Sequence, residues 1–270
     1  AGVRYAVVRT ERPGHATALA EGAAADGWGA VVAVGGDGTI HEVANGLTRA
    51  ATHHGTTPPP LGIVSTGTGN DFVKLLGLSQ VGPAEATRRL LEAQTRTLDI
   101  GRVGSGYFVN VVGTGFDARV AVEAQRVKRL RGMAVYLWAL LKALRAHRTP
   151  IMRVVLDGQE VAHRPLTMVV VANGACYGGG FWVCPTAQLD DGFFDICVAD
   201  AMSVPALLAF VPRVMRGTHV RQPEVHMYRA RNVQVYIEEP LPVQADGEIL
   251  AHDAQELVFE LWPGGLTVLA

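Results

Sequence analysis

Two glycine-rich segments hold most of the residues that could do chemistry. The first, GGDGTIHE, spans 35–42, and the second, STGTGNDF, spans 65–72; each follows a short apolar run. Glycines let backbone N–H groups approach an anion, and the N-terminus of a following helix adds partial positive charge. Thr66, Thr68 and Asn70 offer side-chain donors that suit phosphate or ribose. Together the two loops predict a phosphate site, although the first loop alone fits a plain strand-to-helix turn equally well.

A carboxylate, Asp37, lies inside the first loop. A negative charge beside a phosphate is unfavourable unless a metal ion or a proton transfer is involved. The other interpretation is that Asp37-Gly38 serves the geometry of the turn. Further along the loop, Thr39 and Glu42 have the spacing of a capping box, which predicts that a helix begins at Thr39.

Two further Asp-Gly pairs are candidates for chemistry. Asp191-Gly192 stands between apolar runs, and Asp246-Gly247 precedes Glu248 and follows the mainly apolar stretch LPVQA. An Asp-Gly pair between strand-like runs is by itself a strong indication of a β-hairpin. The residues alone therefore favour two turns, and a role for Glu248 needs further support.

Strand-like and helical segments alternate in the first third of the chain, which predicts a parallel sheet with helices on its faces. The strand-like runs are Tyr5–Arg9, Ala30–Val34 and Leu61–Ser65, and the helical ones are His15–Ala25, Thr39–Ala50 and Ala84–Ala93. In such a sheet the carboxyl ends of neighbouring strands meet at one edge, where nucleotides bind. This arrangement would bring the two glycine loops together.

The pattern changes near residue 96. Short strand-like runs separated by Gly, Asp-Gly or Asn-Gly follow, interrupted by a helical region at about Ala118–His147 and a helix at Pro205–Val214. Closely spaced strands favour an antiparallel sandwich-like domain. We therefore predict an α/β domain over 1–96 with a parallel nucleotide-binding sheet, and a β-rich domain over 97–270 whose extreme C-terminus can return to the first domain.

Composition narrows the classes of function. The chain has 270 residues and a net charge of −1, which gives no general attraction to nucleic acid. Its longest uncharged apolar stretch, Gly132–Leu141, is shorter than the roughly 18 residues of a spanning helix. The three cysteines are too few and too scattered for a disulfide framework or a CxxC metal site. A cytoplasmic protein is expected.

Five motifs in order resemble one family. GGDGT at 35–39, STGTGNDF at 65–72, VNVVGTGFDA at 109–118, LDDGFFDI at 189–196 and QADGE at 244–248 look like the catalytic domain shared by diacylglycerol kinases, sphingosine kinases and soluble bacterial lipid kinases. The resemblance implies an ATP-binding domain, a lipid-binding domain and a site between them. It implies transfer of the γ-phosphate of ATP to a lipid hydroxyl, with diacylglycerol as the expected acceptor.

The resemblance also implies roles for individual residues. Glu248 would accept the proton of the acceptor hydroxyl, and Asp37 would act with the Mg²⁺ of the nucleotide or help to activate that hydroxyl. A structural Mg²⁺ would use Gln188, Asp191 and Phe193, with a bare turn as the alternative. The residues expected at ATP are Thr10, Gly35, Gly36, Asp37, Gly38, Thr39, Ile40, His41, Thr68 and Asn70.

The sequence departs from the family pattern at two places: His41 replaces a frequent Asn, and nothing before Thr10 matches the family's opening Asn-Pro-x-x-Gly loop. An earlier segment is therefore expected to complete the ATP site.

Other interpretations remain open from the sequence. Another GGDG-type kinase, such as an NAD kinase or a phosphofructokinase, shares the first motif, and a non-catalytic nucleotide- or lipid-binding regulatory protein would keep the scaffold.

Residues 126–148 contain seven Lys or Arg and no acid around GMAVYLWALL. They suit an amphipathic helix on anionic lipid at the inner face of the membrane, or a helix that packs between domains. Edge strands in the second domain allow a homodimer.

Overall fold

The computed structural model describes residues 2–55, 57–78, 81–92, 94–127 and 133–270. The α-helices are α1 (His15–Ala25), α2 (Asp37–His54), α3 (Asp71–Leu75), α4 (Pro83–Glu92), α5 (Phe116–Gln125), α6 (Met133–Arg145) and α7 (Val204–Met215). The strands are β1 (Val31–Gly35), β2 (Leu61–Ser65), β3 (Thr95–Val103), β4 (Gly106–Phe108), β5 (Val111–Gly115), β6 (Ile151–Leu156), β7 (Gln159–Ala172), β8 (Phe194–Asp200), β9 (Val225–Ala230), β10 (Asn232–Ala245) and β11 (Glu248–Leu269).

The first two strands are parallel neighbours. β1 and β2 pair in register from Val31 with Leu61 to Gly35 with Ser65, so both glycine loops leave the same edge. β11 adds a single parallel pair, Val268 with Leu61, and the other strand pairs described are antiparallel. All these strands belong to one mixed sheet of eleven, so the separate parallel sheet predicted for the first domain is not established.

The last strand connects the two parts of the chain. β11 pairs with β10 along its first half and with β3 along its second, and its end reaches β2. The core beneath α1 and α2 therefore contains Leu98 and Ile100 of β3 and Leu266 and Val268 of β11, in addition to residues of β1 and β2. The α/β segment at the start of the chain therefore buries its apolar face against strands that lie far away in sequence.

The β-rich part is built around two long strands that change partners. β7 pairs first with β6 and then with β5 and β8, while β10 pairs with β6 and β5 on one side and β11 on the other. An apolar core from these strands includes Phe108, Phe194 and Phe259. Helices α5, α6 and α7 pack through a separate core against β7 and β8.

Three sequence predictions need correction. The run Tyr5–Arg9 is not a strand, and its side chains are exposed. The helical region predicted at Ala118–His147 is two helices, α5 and α6, and residues 128–132 between them lie outside the described part of the chain. The helix predicted to begin at Thr39 begins at Asp37, with Gly36 at the N-cap.

Glu42 does not complete a capping box within its own helix. Its carboxylate accepts hydrogen bonds from the backbone N–H groups of Gly14 (2.8 Å) and Ala16 (2.9 Å). Both amides belong to the start of α1, where an anion is favourable because the first backbone N–H groups of a helix have no intrahelical partner. Glu42 thus caps the neighbouring helix and joins α1 to α2.

No α-helix within the described ranges has the length and apolar character needed to cross a bilayer.

Candidate active site

The two glycine loops are in direct backbone contact. The Thr66 N–H donates to the Gly35 carbonyl oxygen at 2.9 Å, directly after the paired ends of β1 and β2. A Cβ atom on Gly67 would lie 2.6 Å from the Cα of Gly36, which is closer than atoms can approach. The glycines are therefore required for the loops to pack together, whatever they bind. Thr66 and Thr68 remain exposed beside this contact.

Asp37 connects the loops through a third contact. Backbone N–H groups of Asn70, Asp71 and Phe72, at the start of α3, stabilise its ionised carboxylate. Burial, and then the charge of Asp71, outweigh these hydrogen bonds and raise the pKa of Asp37. Its Oδ1 is buried and has no hydrogen-bond partner among the described residues. A buried carboxylate oxygen without a donor fits a cation, so this position is compatible with Mg²⁺.

The other residues predicted to contact ATP differ in exposure and in hydrogen-bond partners. Thr10 is exposed in the segment before α1, and Thr68 is exposed in the second loop. The side chain of Ile40 is fully buried in the core, so only its backbone could face a ligand. Asn70 has φ 54° and its amide donates to the Gly67 carbonyl oxygen at 2.9 Å. The ring of His41 is directed at Asp246.

Glu248 lies across from the first loop. Asp246 and Gly247 form the two-residue turn between β10 and β11, and their φ angles of 51° and 90° suit a type I′ hairpin. The turn leaves Glu248 exposed, and a Cβ on Gly38 would lie 3.3 Å from its Oε1. The Gln125 amide is 3.4 Å from the other carboxylate oxygen. The predicted hairpin is therefore present, and it places the Glu248 carboxylate opposite the first glycine loop.

Two carboxylates of the predicted motifs, Asp71 and Asp246, connect this region through hydrogen bonds that the sequence did not predict. Asp71 accepts from the Gly179 N–H at 2.6 Å and from Lys74 at 3.2 Å, which ties the second loop to the glycine run 178–180. Asp246 accepts from the backbone N–H groups of Val109, Asn110 and Val111. Both lie within motifs, but their partners are remote in sequence, so no local pattern identifies them.

A third carboxylate, Asp117, is buried behind the hairpin. The Tyr177 hydroxyl lies 3.2 Å from its Oδ2 and the Gln244 amide nitrogen 3.4 Å. The Oε1 of Gln244 accepts from the Gly247 N–H at 2.9 Å, so the contact extends to the turn before Glu248. Burial raises the pKa of Asp117 to about 6. Asp117 is within the predicted motif VNVVGTGFDA, where sequence reasoning gave it no role.

The raised pKa of Asp117 predicts a pH-dependent stability. Between its ordinary pKa of 3.8 and about 6, the unfolded chain ionises this carboxyl while the folded protein keeps it neutral. The stabilisation is therefore complete below 3.8 and is lost as the pH rises through about 6, at most about 3 kcal/mol. Urea unfolding at pH 4 and pH 7 measures the effect. Between these two pH values the free energy of unfolding should fall less in Asp117→Asn than in wild type. An equal fall in the free energy of unfolding in both proteins would show that Asp117 does not have a raised pKa.

The loop predicted to hold a structural Mg²⁺ is held by protein groups. Arg229 forms an ion pair with Asp191 Oδ2, and the Phe193 N–H donates to Oδ1 at 3.1 Å. Asp99 accepts from the Gly192 N–H at 2.7 Å and donates its own N–H to Leu189. The described residues contain no group of three or more His, Cys, Asp or Glu side chains placed to hold a metal. The structure gives no support to a metal at Gln188, Asp191 and Phe193, which stays a prediction.

Comparison with known proteins identifies the class of these domains. Residues 1–103 match the diacylglycerol kinase catalytic domain, and residues 110–270 match the YegS C-terminal NAD kinase beta sandwich-like domain. The diacylglycerol kinase of Mycobacterium tuberculosis strain H37Rv is 37% identical over 236 residues, covering 85% of this chain and 74% of that protein. The probable lipid kinase YegS-like of Chromohalobacter salexigens is 32% identical over 272 residues, covering 100% and 85%.

Solved structures show the same two-domain fold. A diacylglycerol kinase from Bacillus anthracis strain Sterne aligns with a TM-score of 0.70 at 22% identity, covering 97% of this chain and 83% of that one. An NAD kinase from Archaeoglobus fulgidus aligns with a TM-score of 0.52 at 16% identity, covering 90% and 78%, a likeness of fold alone.

Fold and sequence together define a lipid kinase with a β-rich C-terminal domain. The chain belongs to the diacylglycerol kinase family. This family membership confirms the predicted resemblance and favours an enzyme over a non-catalytic regulatory protein. It also implies ATP as the phosphate donor.

Proposed function

We propose that this protein transfers the γ-phosphate of ATP to the hydroxyl of diacylglycerol. The observation that carries the proposal is the Glu248 carboxylate, which faces Gly38 of the first glycine loop from the hairpin between β10 and β11. Relatives that are 37% and 27% identical are named diacylglycerol kinase, which supports this acceptor. In this proposal residues 1–96 bind ATP through the parallel pair β1 and β2, and residues 97–270 bind the lipid.

Phosphoryl transfer depends mainly on position and on neutralising charge. Backbone N–H groups of the first loop and the start of α2 would bind the phosphates, with Thr10 and Thr68 contributing hydroxyls. The residues proposed at ATP are Gly35, Gly36, Asp37, Gly38, Thr39, Ile40, His41 and Asn70, besides those two threonines. Mg²⁺, when bound, would neutralise the phosphate charge, and the unpartnered Oδ1 of Asp37 is the atom suited to hold it.

Glu248 is proposed as the proton acceptor. Its side chain is exposed at the hairpin, so a lipid hydroxyl can reach it without displacing core residues. A carboxylate within hydrogen-bond distance of the attacking hydroxyl can take the proton as that oxygen bonds to the γ-phosphorus, while the bond from this phosphorus to the bridging oxygen breaks and ADP leaves. The first glycine loop lies on the same side, which would place the phosphoryl group next to that oxygen.

The activity can be tested with γ-labelled ATP, Mg²⁺ and a panel of micellar lipids. Diacylglycerol is expected to become labelled in preference to phosphatidylglycerol, a sphingoid base or a prenol. If only another lipid becomes labelled, the protein is still a lipid kinase, but diacylglycerol is not its acceptor. No label in any lipid, with ATP still bound, would overturn the proposed function.

We also propose that α6 contacts an anionic membrane. Among the side chains of α6 that the structure describes, the exposed ones recur on one face, and they are Ala134, Leu137, Trp138, Leu141, Lys142 and Arg145. Lys142 lies 5.0 Å from the centre of the Trp138 ring, and α6 contains no acid. Exposed apolar residues beside cations suit the surface of an anionic bilayer. The basic residues Lys128, Arg129 and Arg131 of the predicted segment lie outside the described residues.

Neutralising both cations of this face should weaken membrane binding. Each Lys or Arg near an anionic surface contributes about 1 kcal/mol, so Lys142→Gln with Arg145→Gln should bind vesicles containing phosphatidylglycerol about 30-fold more weakly. Arg102→Gln with Arg153→Gln, at exposed positions on β3 and β6, is the matched control. Sedimentation with vesicles measures the effect, and equal binding by both variants would contradict the proposal.

The homodimer that the edge strands of the second domain allow remains a prediction.

A further inference from the structure

His41 contacts the hairpin that carries Glu248. Its Nδ1 lies 2.8 Å from Oδ2 of Asp246, and the two side chains are 17% and 4% exposed. His41 is on the second turn of α2, directly after the first glycine loop, whereas Asp246 is 205 residues away in the turn between β10 and β11. The contact therefore joins the proposed phosphate site to the proposed proton acceptor.

Asp246 is held firmly on its own side of this contact. Its Oδ1 accepts from the N–H groups of Asn110 (3.0 Å) and Val111 (2.9 Å), and Oδ2 accepts from Val109 (3.0 Å). Its own N–H donates to the Val111 carbonyl oxygen at 2.8 Å. The three amides join the hairpin to the β4–β5 connection, and the contact with His41 is what joins this assembly to α2 and the first glycine loop.

Asn45 joins the backbone of His41 to Tyr107 of β4. The Asn45 amide donates to the backbone oxygens of His41 (3.0 Å) and Tyr107 (2.8 Å), and its oxygen accepts from the Tyr107 N–H (2.9 Å). The amide nitrogen lies 3.4 Å from Nε2 of His41. Because an ionised carboxylate only accepts hydrogen bonds, Nδ1 carries the proton directed at Asp246.

We propose that His41 is a positioning residue, whose hydrogen bond to Asp246 fixes the hairpin so that Glu248 faces the first glycine loop. This inference rests on the proposed function, since it assumes that Glu248 accepts the proton. It gives the ring a role different from the predicted contact with ATP, because Nδ1 already binds Asp246 and the side chain is only 17% exposed. The backbone of His41 stays available to the nucleotide site.

Charge strengthens the contact. The carboxylates that face His41 are Asp246 and Glu248 from the hairpin and Glu42 from its own helix, while Asn45 and the backbone of Tyr107 are neutral. Burial opposes the charged ring, but the hydrogen bond and charge of Asp246, followed by the charges of Glu248 and Glu42, raise the pKa of His41. As the pH rises through that raised pKa, the ring loses its charge and the contact becomes a weaker, neutral-donor hydrogen bond.

Two substitutions separate the hydrogen bond from the charge. Asparagine places an amide nitrogen where histidine has Nδ1, so His41→Asn keeps the donor without a titratable charge; His41→Leu removes both. His41→Leu is expected to lower kcat about 10- to 100-fold with an unchanged KM for ATP. His41→Asn should restore much of the kcat that His41→Leu loses, and it should lack the fall in kcat expected of wild type as the pH rises through the raised pKa of His41. His163→Asn, at an exposed position on β7, is the control.

Amide hydrogen exchange provides a readout that needs no activity. The amides of Val109, Asn110 and Val111 should exchange faster in His41→Leu than in wild type, because the carboxylate that accepts them loses its own anchor. A higher KM for ATP with unchanged kcat would place the ring at the nucleotide and overturn the inference, as would kinetics and exchange identical to wild type. If wild type labels no lipid, the proposed function fails, and unchanged exchange in His41→Leu would separately reject the contact.

Discussion

Replacing Glu248 by glutamine is expected to lower kcat for lipid phosphorylation by about 10²- to 10⁴-fold, which is the usual contribution of a general base. Glutamine keeps the size of the side chain and the contact with Gln125, but it cannot accept a proton. Since Glu248 is exposed on a hairpin, the substitution should leave the fold intact. ATP binding should stay close to wild type, because the predicted phosphate contacts come from the glycine loops.

The measurement is kcat and KM for ATP with γ-labelled nucleotide, combined with calorimetric binding of ATP. Glu256→Gln is the matched control, because Glu256 is exposed on the same strand and remote from the hairpin turn. If Glu248→Gln turns over like the control, Glu248 is not the base. Weaker ATP binding with unchanged kcat would move Glu248 into the nucleotide site.

Replacing Asp37 by asparagine is expected to lower kcat/KM for ATP about 10- to 100-fold. Its carboxylate joins the first loop to the N–H groups that begin α3, and hydrogen bonds to a charged group are worth roughly 1.5–3 kcal/mol. Removing the charge weakens the connection between the loops and also takes away the unpartnered Oδ1 charge that suits Mg²⁺. Both effects act at the same loops, so the loss should exceed that from any single glycine-loop hydroxyl.

Two readouts separate these effects of Asp37. If the side chain also holds Mg²⁺, the Mg²⁺ concentration for half-maximal activity should rise in Asp37→Asn, whereas a purely structural connection lowers thermal stability without that rise. Asp26→Asn, at the exposed end of α1, provides the comparison. Wild-type kcat/KM for ATP in Asp37→Asn would show that the loops do not depend on this carboxylate.

Local patterns predicted much of this molecule correctly. The strands at 31–35 and 61–65, the helix at 204–215 and the two glycine loops follow from short stretches of sequence. Asp246-Gly247 also forms the hairpin that an Asp-Gly pair favours, because both residues tolerate positive φ. The run Tyr5–Arg9 shows the limit of such patterns, since β-branched residues favour a strand only where a partner strand is available.

Long-range partners were beyond the local patterns. Glu42 has the spacing of a capping box, yet it caps α1 because the packing of two helices brings those amides within reach. Asp37 was expected to serve a metal or the acceptor, and the structure adds a contact with the start of α3. In each case a side chain had several acceptable partners, and packing selected one of them.

By itself the sequence determined the family, the order of its motifs and the residues from which a phosphate site could be built, because motifs and backbone turns depend on residues that are adjacent in the chain. Only the tertiary structure decided which of these residues meet. It directed His41 to Asp246 across 205 residues, placed Glu248 opposite Gly38 and joined Asp71 to Gly179. Such contacts depend on how strands distant in sequence pair and bury their apolar faces, a property of the whole chain.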